Sequence, residues 1–246
     1  MPGYNQKMIK SGRVVEIYNY ENKVQYGYLD ENKVGRIVCD NKENKRANRE
    51  KVVNRAKRNI RRLANCNIQR NSKFVTLTFK DNITDLDIAN YEFKKFIQRL
   101  KYKTNIDLKY LAVIEFQERG AVHYHTMLFN LPYMTNSALT RVWKNGFVRI
   151  NKIDNVDNVG AYLTGYLTKQ KHITENEELQ EDKLLEKKCY FTSKNLKQPI
   201  EILKDTMYEK KLSPLEKDLN SLIPKYIQSF KNEYNSVDYK QYILPN

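Results

Sequence analysis

Leu108-Lys-Tyr-Leu-Ala-Val-Ile-Glu-Phe-Gln-Glu-Arg-Gly-Ala-Val-His-Tyr-His-Thr-Met-Leu-Phe129 reads as two β-strands, Leu108 to Gln117 and Ala121 to Phe129, joined by Glu118-Arg-Gly120. A three-residue hairpin loop with Gly at its left-handed position suits that turn. With that loop length Gln117 lies opposite Ala121, and Glu115 opposite His123. Side chains two apart on a strand share a face, so His123 and His125 project together. Glu115 joins them from the neighbouring strand, its Cβ about 5 Å from that of His123. A two-residue loop would send Glu115 to the opposite face, so turn length decides the ligand set. Two imidazoles and a carboxylate leave open positions on a divalent cation, as a catalytic site requires. Mixed nitrogen and oxygen ligation suits Mn²⁺ somewhat better than Mg²⁺. The plain alternative is a pair of half-exposed strand histidines with no metal, and H-x-H alone is a weak signal.

Working outward, Phe74-Val-Thr-Leu-Thr-Phe79 alternates as a strand, and Thr84 or Asp85 can cap a helix whose buried stripe is Ala89, Phe93, Phe96, Ile97 and Leu100. Beyond the hairpin come a short helix, Asn136 to Lys144, with Gly146 as its stop, and a strand from Phe147. A helix from Asn155 to Gln170 follows. The order β-α-β-β-α-β predicts an α+β fold, a split βαβ, ferredoxin-like antiparallel sheet with helices. Ahead of it, Val14-Val-Glu-Ile-Tyr, Val24-Gln-Tyr-Gly-Tyr and Gly35-Arg-Ile-Val-Cys predict a small β-meander. A C-terminal helical extension is expected over 212–242. The organisation expected from this order is 1–65 for the meander and basic helix, 66–172 for the core and 173–246 for the extension.

The chain carries 44 Lys and Arg against 29 Asp and Glu, a formal charge of +15. Such a balance favours a polyanion, nucleic acid first and an anionic membrane surface second. Ten basic and two acidic residues crowd positions 42–62, where Val52, Val53, Ala56, Ile60 and Leu63 share one arc of a helical wheel. Arg46, Arg49, Arg55, Arg58, Arg61 and Arg62 are then candidates for tracking a DNA backbone; a solvated surface helix is the bland alternative. No apolar run approaches the ~20 residues of a membrane span. The N-terminus lacks the apolar stretch of a signal peptide. Three cysteines without C-x-x-C spacing indicate neither a disulfide framework nor a thiolate zinc site, so a cytoplasmic protein with reduced thiols is expected.

In Tyr162-Leu-Thr-Gly-Tyr-Leu-Thr-Lys169, Tyr162 and Tyr166 are spaced i, i+4 and Lys169 follows one turn later, all on one helix face. Aromatic residues at that spacing are usually core. Here Thr164, Gly165 and Thr168 make a small, polar surface instead, and Gly165 costs about 1 kcal/mol of helix propensity relative to Ala. The functional alternative makes a phenolic oxygen a nucleophile, which at pH 7 needs a polarised phosphate and a nearby cation.

These three segments, with Glu115-Phe-Gln-Glu-Arg-Gly-Ala-Val-His-Tyr-His125 as the central one, resemble the three motifs of HUH endonucleases. Among those they are most similar to rolling-circle replication initiators of bacterial single-stranded DNA phages and small plasmids. Lys188-Cys-Tyr-Phe-Thr-Ser-Lys-Asn-Leu-Lys-Gln-Pro199 is similar to the stretch that follows the tyrosine motif there. The resemblance spans about residues 45 to 200. It implies that His123, His125 and Glu115 hold Mg²⁺ or Mn²⁺, and that a helix tyrosine attacks a scissile phosphate of single-stranded DNA at a replication origin. A 5′-phosphotyrosine and a free 3′-hydroxyl would result, with Lys169 neutralising phosphate charge. It implies a host polymerase as partner, and the lack of a G-x-x-x-x-G-K-[ST] loop implies a host helicase. Relatives often carry Lys just before the second tyrosine, where this chain has Gly165. Both tyrosines are therefore candidates, Tyr162 for the first attack. A relaxase or single-strand transposase with the same chemistry is the nearest alternative. A non-catalytic nucleic-acid-binding ferredoxin-like module is the more distant one, and predicts stacking aromatics on an open sheet face.

Overall fold

The computed structural model describes residues 3–25, 42–117, 119–151, 160, 163–165, 188, 190–208 and 214–245. They fall into two compact units, Cys39–Lys197 and Met1–Val38 with Gln198–Asn246. The fold is α+β with two five-stranded sheets.

The Cys39–Lys197 unit is built on β3 (Lys73–Phe79), β4 (Tyr110–Phe116), β5 (Val122–Leu128), β6 (Gly146–Asn151) and β7 (Tyr190–Thr192), in the order β6-β3-β5-β4-β7. All neighbours are antiparallel. The first four strands, with α2 (Leu86–Thr104) and α3 (Asn136–Trp143) between them, have the connectivity of a split βαβ. β7 widens the sheet at the β4 edge.

Each face has its own core. Val75, Leu77, Phe79, Ala112, Ile114, Val122, Tyr124 and Val148 pack with α2 and α3 on one. The alternation of β3 turns Phe74, Thr76 and Thr78 to the other. There α1 (Lys42–Asn67) lays Ala56, Ile60, Leu63 and Ala64 against Phe74, Val113, Met127 and Phe129. Val52 was expected on that seam but is 51% exposed; Val53 packs against the core half-buried, and full burial starts at Ala56.

Capping fixes α2 at both ends. Asp85 accepts from the amides of Asp87 and Ile88 at 2.7 and 3.1 Å, and Asn105 closes the helix in a left-handed conformation, its N–H donating to Lys101. The stripe Leu86, Ala89, Phe93, Phe96, Ile97 and Leu100 is buried. Phe93 stacks on Tyr124 at 4.5 Å between centroids, and the buried phenol of Tyr124 is satisfied by Asn90 at 2.8 Å. Gly146 is not the stop of α3. Lys144 takes the left-handed cap at φ 70°, and Gly146 opens β6 at φ 151°, where a Cβ would collide with the Thr78 carbonyl and the Lys80 amide.

The other unit pairs strands from both chain ends: β1 (Gly3–Ser11), β2 (Val14–Gln25), β8 (Ile200–Lys204), β9 (Tyr226–Lys231) and β10 (Ser236–Ile243), in the order β8-β1-β2-β10-β9. The meander expected here is corrected: Val14–Gln25 is one strand, its partner β1 precedes it, and 26–41 lies outside the described residues. The helical C-terminal extension is corrected too. Among the described residues there only α4 (Pro214–Leu219) is helical, whereas 226–243, rich in Tyr, Ile, Phe and Val, forms two strands that extend the sheet from β2. Unit boundaries therefore do not follow chain order, since 198–246 returns to the first strands. Met8, Val15, Ile17, Leu219 and Tyr242 form the core, and Lys204 meets Glu216 in an almost fully buried ion pair at 2.9 Å.

Candidate nuclease site

The hairpin turn has the length that places three polar side chains together. Gln117 donates to the Ala121 carbonyl at 2.9 Å, Gly120 donates to Gln117 at 2.7 Å, and Gly120 takes φ 81°, a conformation that glycine adopts without a Cβ penalty. Glu115 is consequently paired with His123 across β4 and β5. Glu115, His123 and His125 share the sheet face that also carries Thr76 and Thr78.

His125 is held on three sides. Its Nε2 lies 2.5 Å from Glu115 Oε2, its Nδ1 is 3.2 Å from Thr76 Oγ1, and its ring stacks on Phe74 at 5.8 Å and 13°. Such a hydroxyl on the far nitrogen fixes the ring orientation that a metal-binding imidazole needs. Thr76 escaped the sequence reading, although T-x-T on a strand in register with H-x-H is its signal.

His123 is 7% exposed, and its Nε2 is buried with no hydrogen-bond partner among the described residues. Burial, reinforced by the charges of His125 and Arg119 and opposed by Glu115, pushes its pKa down to about 4. It is thus neutral at physiological pH, the form that binds metals.

Among the described residues no three His, Cys, Asp or Glu side chains surround a common cation position. Glu115 and His125 touch directly, whereas two ligands of one ion sit about 3 Å apart. The donors nevertheless fit a divalent cation: a carboxylate, a neutral imidazole and an orphaned buried nitrogen. An ion would replace the Glu115–His125 bond and give His123 Nε2 its missing partner.

Tyr162, Tyr166 and Lys169 lie outside the described residues. Gly160 and Leu163–Gly165 around them are helical. Leu163 is fully buried among Phe74, Val113 and Met127, hence on the histidine face of the sheet. A Cβ on Gly160 would stand 2.9 Å from the Arg61 Cα, so this segment crosses α1 at backbone contact. A Cβ on Gly165 would meet nothing within 4 Å. The basic helix is therefore seated beside the tyrosine segment. Of its expected DNA contacts, Arg55, Arg58 and Arg61 are exposed, Arg49 and Arg62 are half-buried, and the side chain of Arg46 lies outside the described residues.

No helix among the described residues is long and apolar enough to cross a membrane. The family model of the replication-associated protein ORF2/G2P matches residues 72–171, a span that holds β3 to β6 and runs through the tyrosine segment. No curated protein and no solved structure matches the chain. The family match points to a role in the initiation of DNA replication, consistent with a Rep initiator that acts on DNA.

Proposed function

We propose that this chain nicks and rejoins single-stranded DNA at a replication origin and so starts rolling-circle replication. The observation that carries the reading is the trio Glu115, His123 and His125 on one sheet face, with the Nε2 of His123 buried and without a partner among the described residues. Such a nitrogen costs about 1–3 kcal/mol of unrecovered desolvation, which a bound metal ion would recover.

When bound, a divalent ion, Mg²⁺ or Mn²⁺, supplies positive charge against the non-bridging oxygens of the phosphate. The chain's own residues do the rest. Thr76 and Phe74 hold the His125 ring. The arginines of α1 hold the DNA backbone. The phenolic oxygen of Tyr162 or Tyr166 attacks phosphorus, forming a P–O(Tyr) bond as the P–O3′ bond breaks. The phenolic proton leaves to solvent and the departing 3′ oxygen takes one up. Lys169 offsets the phosphate's negative charge. The 3′-hydroxyl serves a host polymerase behind a host helicase, and attack by a 3′-hydroxyl on the phosphotyrosine reseals the strand without ATP.

The test is incubation with origin-containing single-stranded DNA and Mn²⁺, followed by denaturing electrophoresis. A denaturant-resistant protein–DNA adduct is expected, and Tyr162→Phe and Tyr166→Phe apportion the nucleophile. Cleavage that persists in the doubly changed protein would overturn the tyrosine mechanism. Binding with no cleavage under any divalent ion would favour a non-catalytic module.

A further inference from the structure

The histidine face does not end at the metal ligands. Register carries it two strands further, to the edge of the sheet. His123 pairs with Thr78 and His125 with Thr76; on the other side of β3, Thr78 pairs with Phe147 and Thr76 with Arg149. Residues paired across strands share a face, so Phe147 and Arg149 of β6 lie in line with His123 and His125. Two inter-strand spacings put them roughly 10 Å from the histidines.

The two rows differ in how they are covered. His123 and His125 are 7% and 4% exposed, Thr76 and Thr78 are partly exposed, and Phe147 is 71% exposed. Arg149 is exposed, with its Nε donating to Asn151 at 3.2 Å. The inward residue between them, Val148, is 7% exposed and belongs to the opposite core. Phe147 belongs to neither core of the unit. An aromatic ring thus stands in water beside an arginine, at the open end of a floor made of two threonines that leads to the histidines.

We infer that Phe147 and Arg149 form a nucleotide subsite on β6, which stacks a base and binds a phosphate of the strand leading away from the scissile phosphate. This rests on the nicking activity proposed above. The occupant is single-stranded DNA because the pair offers what such a strand presents: a π-face for an aromatic ring and a phosphate for a guanidinium. Charge agrees, since residues 39–197 carry 31 basic and 18 acidic side chains. A duplex cannot use the ring without unstacking. The threonine floor is narrow in side-chain volume, which lets a backbone pass between edge and histidines.

Equilibrium binding in EDTA separates this inference from the chemistry. The full chain is titrated against fluorescein-labelled oligo(dT) and against an oligonucleotide containing 2-aminopurine, over a range of salt. Phe147→Ala is expected to weaken binding roughly 5- to 150-fold with an unchanged salt slope, and Phe147→Trp to restore it. Arg149→Ala is expected to reduce the salt slope by about one, and Arg149→Lys to retain it. Quenching of 2-aminopurine should disappear in Phe147→Ala and return in Phe147→Trp. Unaltered affinity and quenching in Phe147→Ala, with wild-type protein binding normally, would overturn the subsite and leave the nicking proposal intact. A wild-type chain that binds neither oligonucleotide at low salt would defeat both.

Discussion

The two units use a five-stranded antiparallel sheet for opposite purposes. In residues 39–197 basic side chains outnumber acidic ones 31 to 18, and one sheet face carries the buried His123 and His125 with a half-buried Glu115. In the unit made from the chain ends the count is nearly even, 13 to 11, and its buried charges are matched, as with Lys204 and Glu216. Among the described residues, one unit leaves an imidazole nitrogen unsatisfied on a face shared with a carboxylate and a second imidazole; the other leaves only neutral oxygens, of Gln6 and Ser11, unsatisfied and pairs Lys204 with Glu216.

That contrast is broken most sharply by substitution. His125→Ala or His123→Ala should cut adduct formation at least 10²-fold while leaving thermal unfolding within a few degrees of wild type, as read by gel assay and calorimetry. Lys204→Met should do the reverse. It removes the ammonium from the nearly buried Glu216 carboxylate, which costs about 3–5 kcal/mol, and leaves Mn²⁺ binding to the histidine unit unchanged. Within the histidine-bearing unit, Phe93→Ala on the face away from the histidines should cost about 3–5 kcal/mol in denaturant unfolding, because the ring is 3% exposed and stacks on Tyr124.

Smaller effects sharpen the picture. Gly160→Ala places a methyl 2.9 Å from the Arg61 backbone, so the tyrosine segment must shift. Nicking should slow about 10- to 100-fold with Mn²⁺ affinity preserved, which single-turnover kinetics and isothermal titration distinguish. The smallest effect is on acid stability. The native pKa of His123 is lowered to about 4, whereas the unfolded chain titrates near 6.5. Between those values the unfolded state binds more protons, so metal-free protein should lose stability as pH falls from about 6.5 to 4, with no further loss from this group below 4. His123→Gln should flatten the profile.

What could be read in advance was what depends on neighbours in sequence. α2 was legible because Asp85 and the Ala89–Leu100 stripe are local signals, and the Glu115–His123 pairing followed from one turn length. The central split βαβ was legible for the same reason, since its strands and helices alternate with short connections. The end-to-end sheet was not. Asn22 bonds to Asn235 across 213 positions, and nothing near Val237 announces that β2 has an edge to offer. Val52 misled because a helical wheel shows an arc but not where the supporting sheet stops. Gly146 misled because glycine serves a helix stop and a close strand approach equally well. Thr76 and Phe147 acquire meaning only from cross-strand register, which hydrophobic patterning does not encode.

The claim beneath all of this is that Glu115, His123 and His125 act as one cation site. Mn²⁺ titration followed by electron paramagnetic resonance tests it directly. One bound ion per chain is predicted for wild type, with binding weakened at least 10-fold in Glu115→Ala, His123→Ala and His125→Ala alike. Stoichiometric binding that survives any of the three substitutions unchanged, or no binding in the wild-type protein, would contradict it.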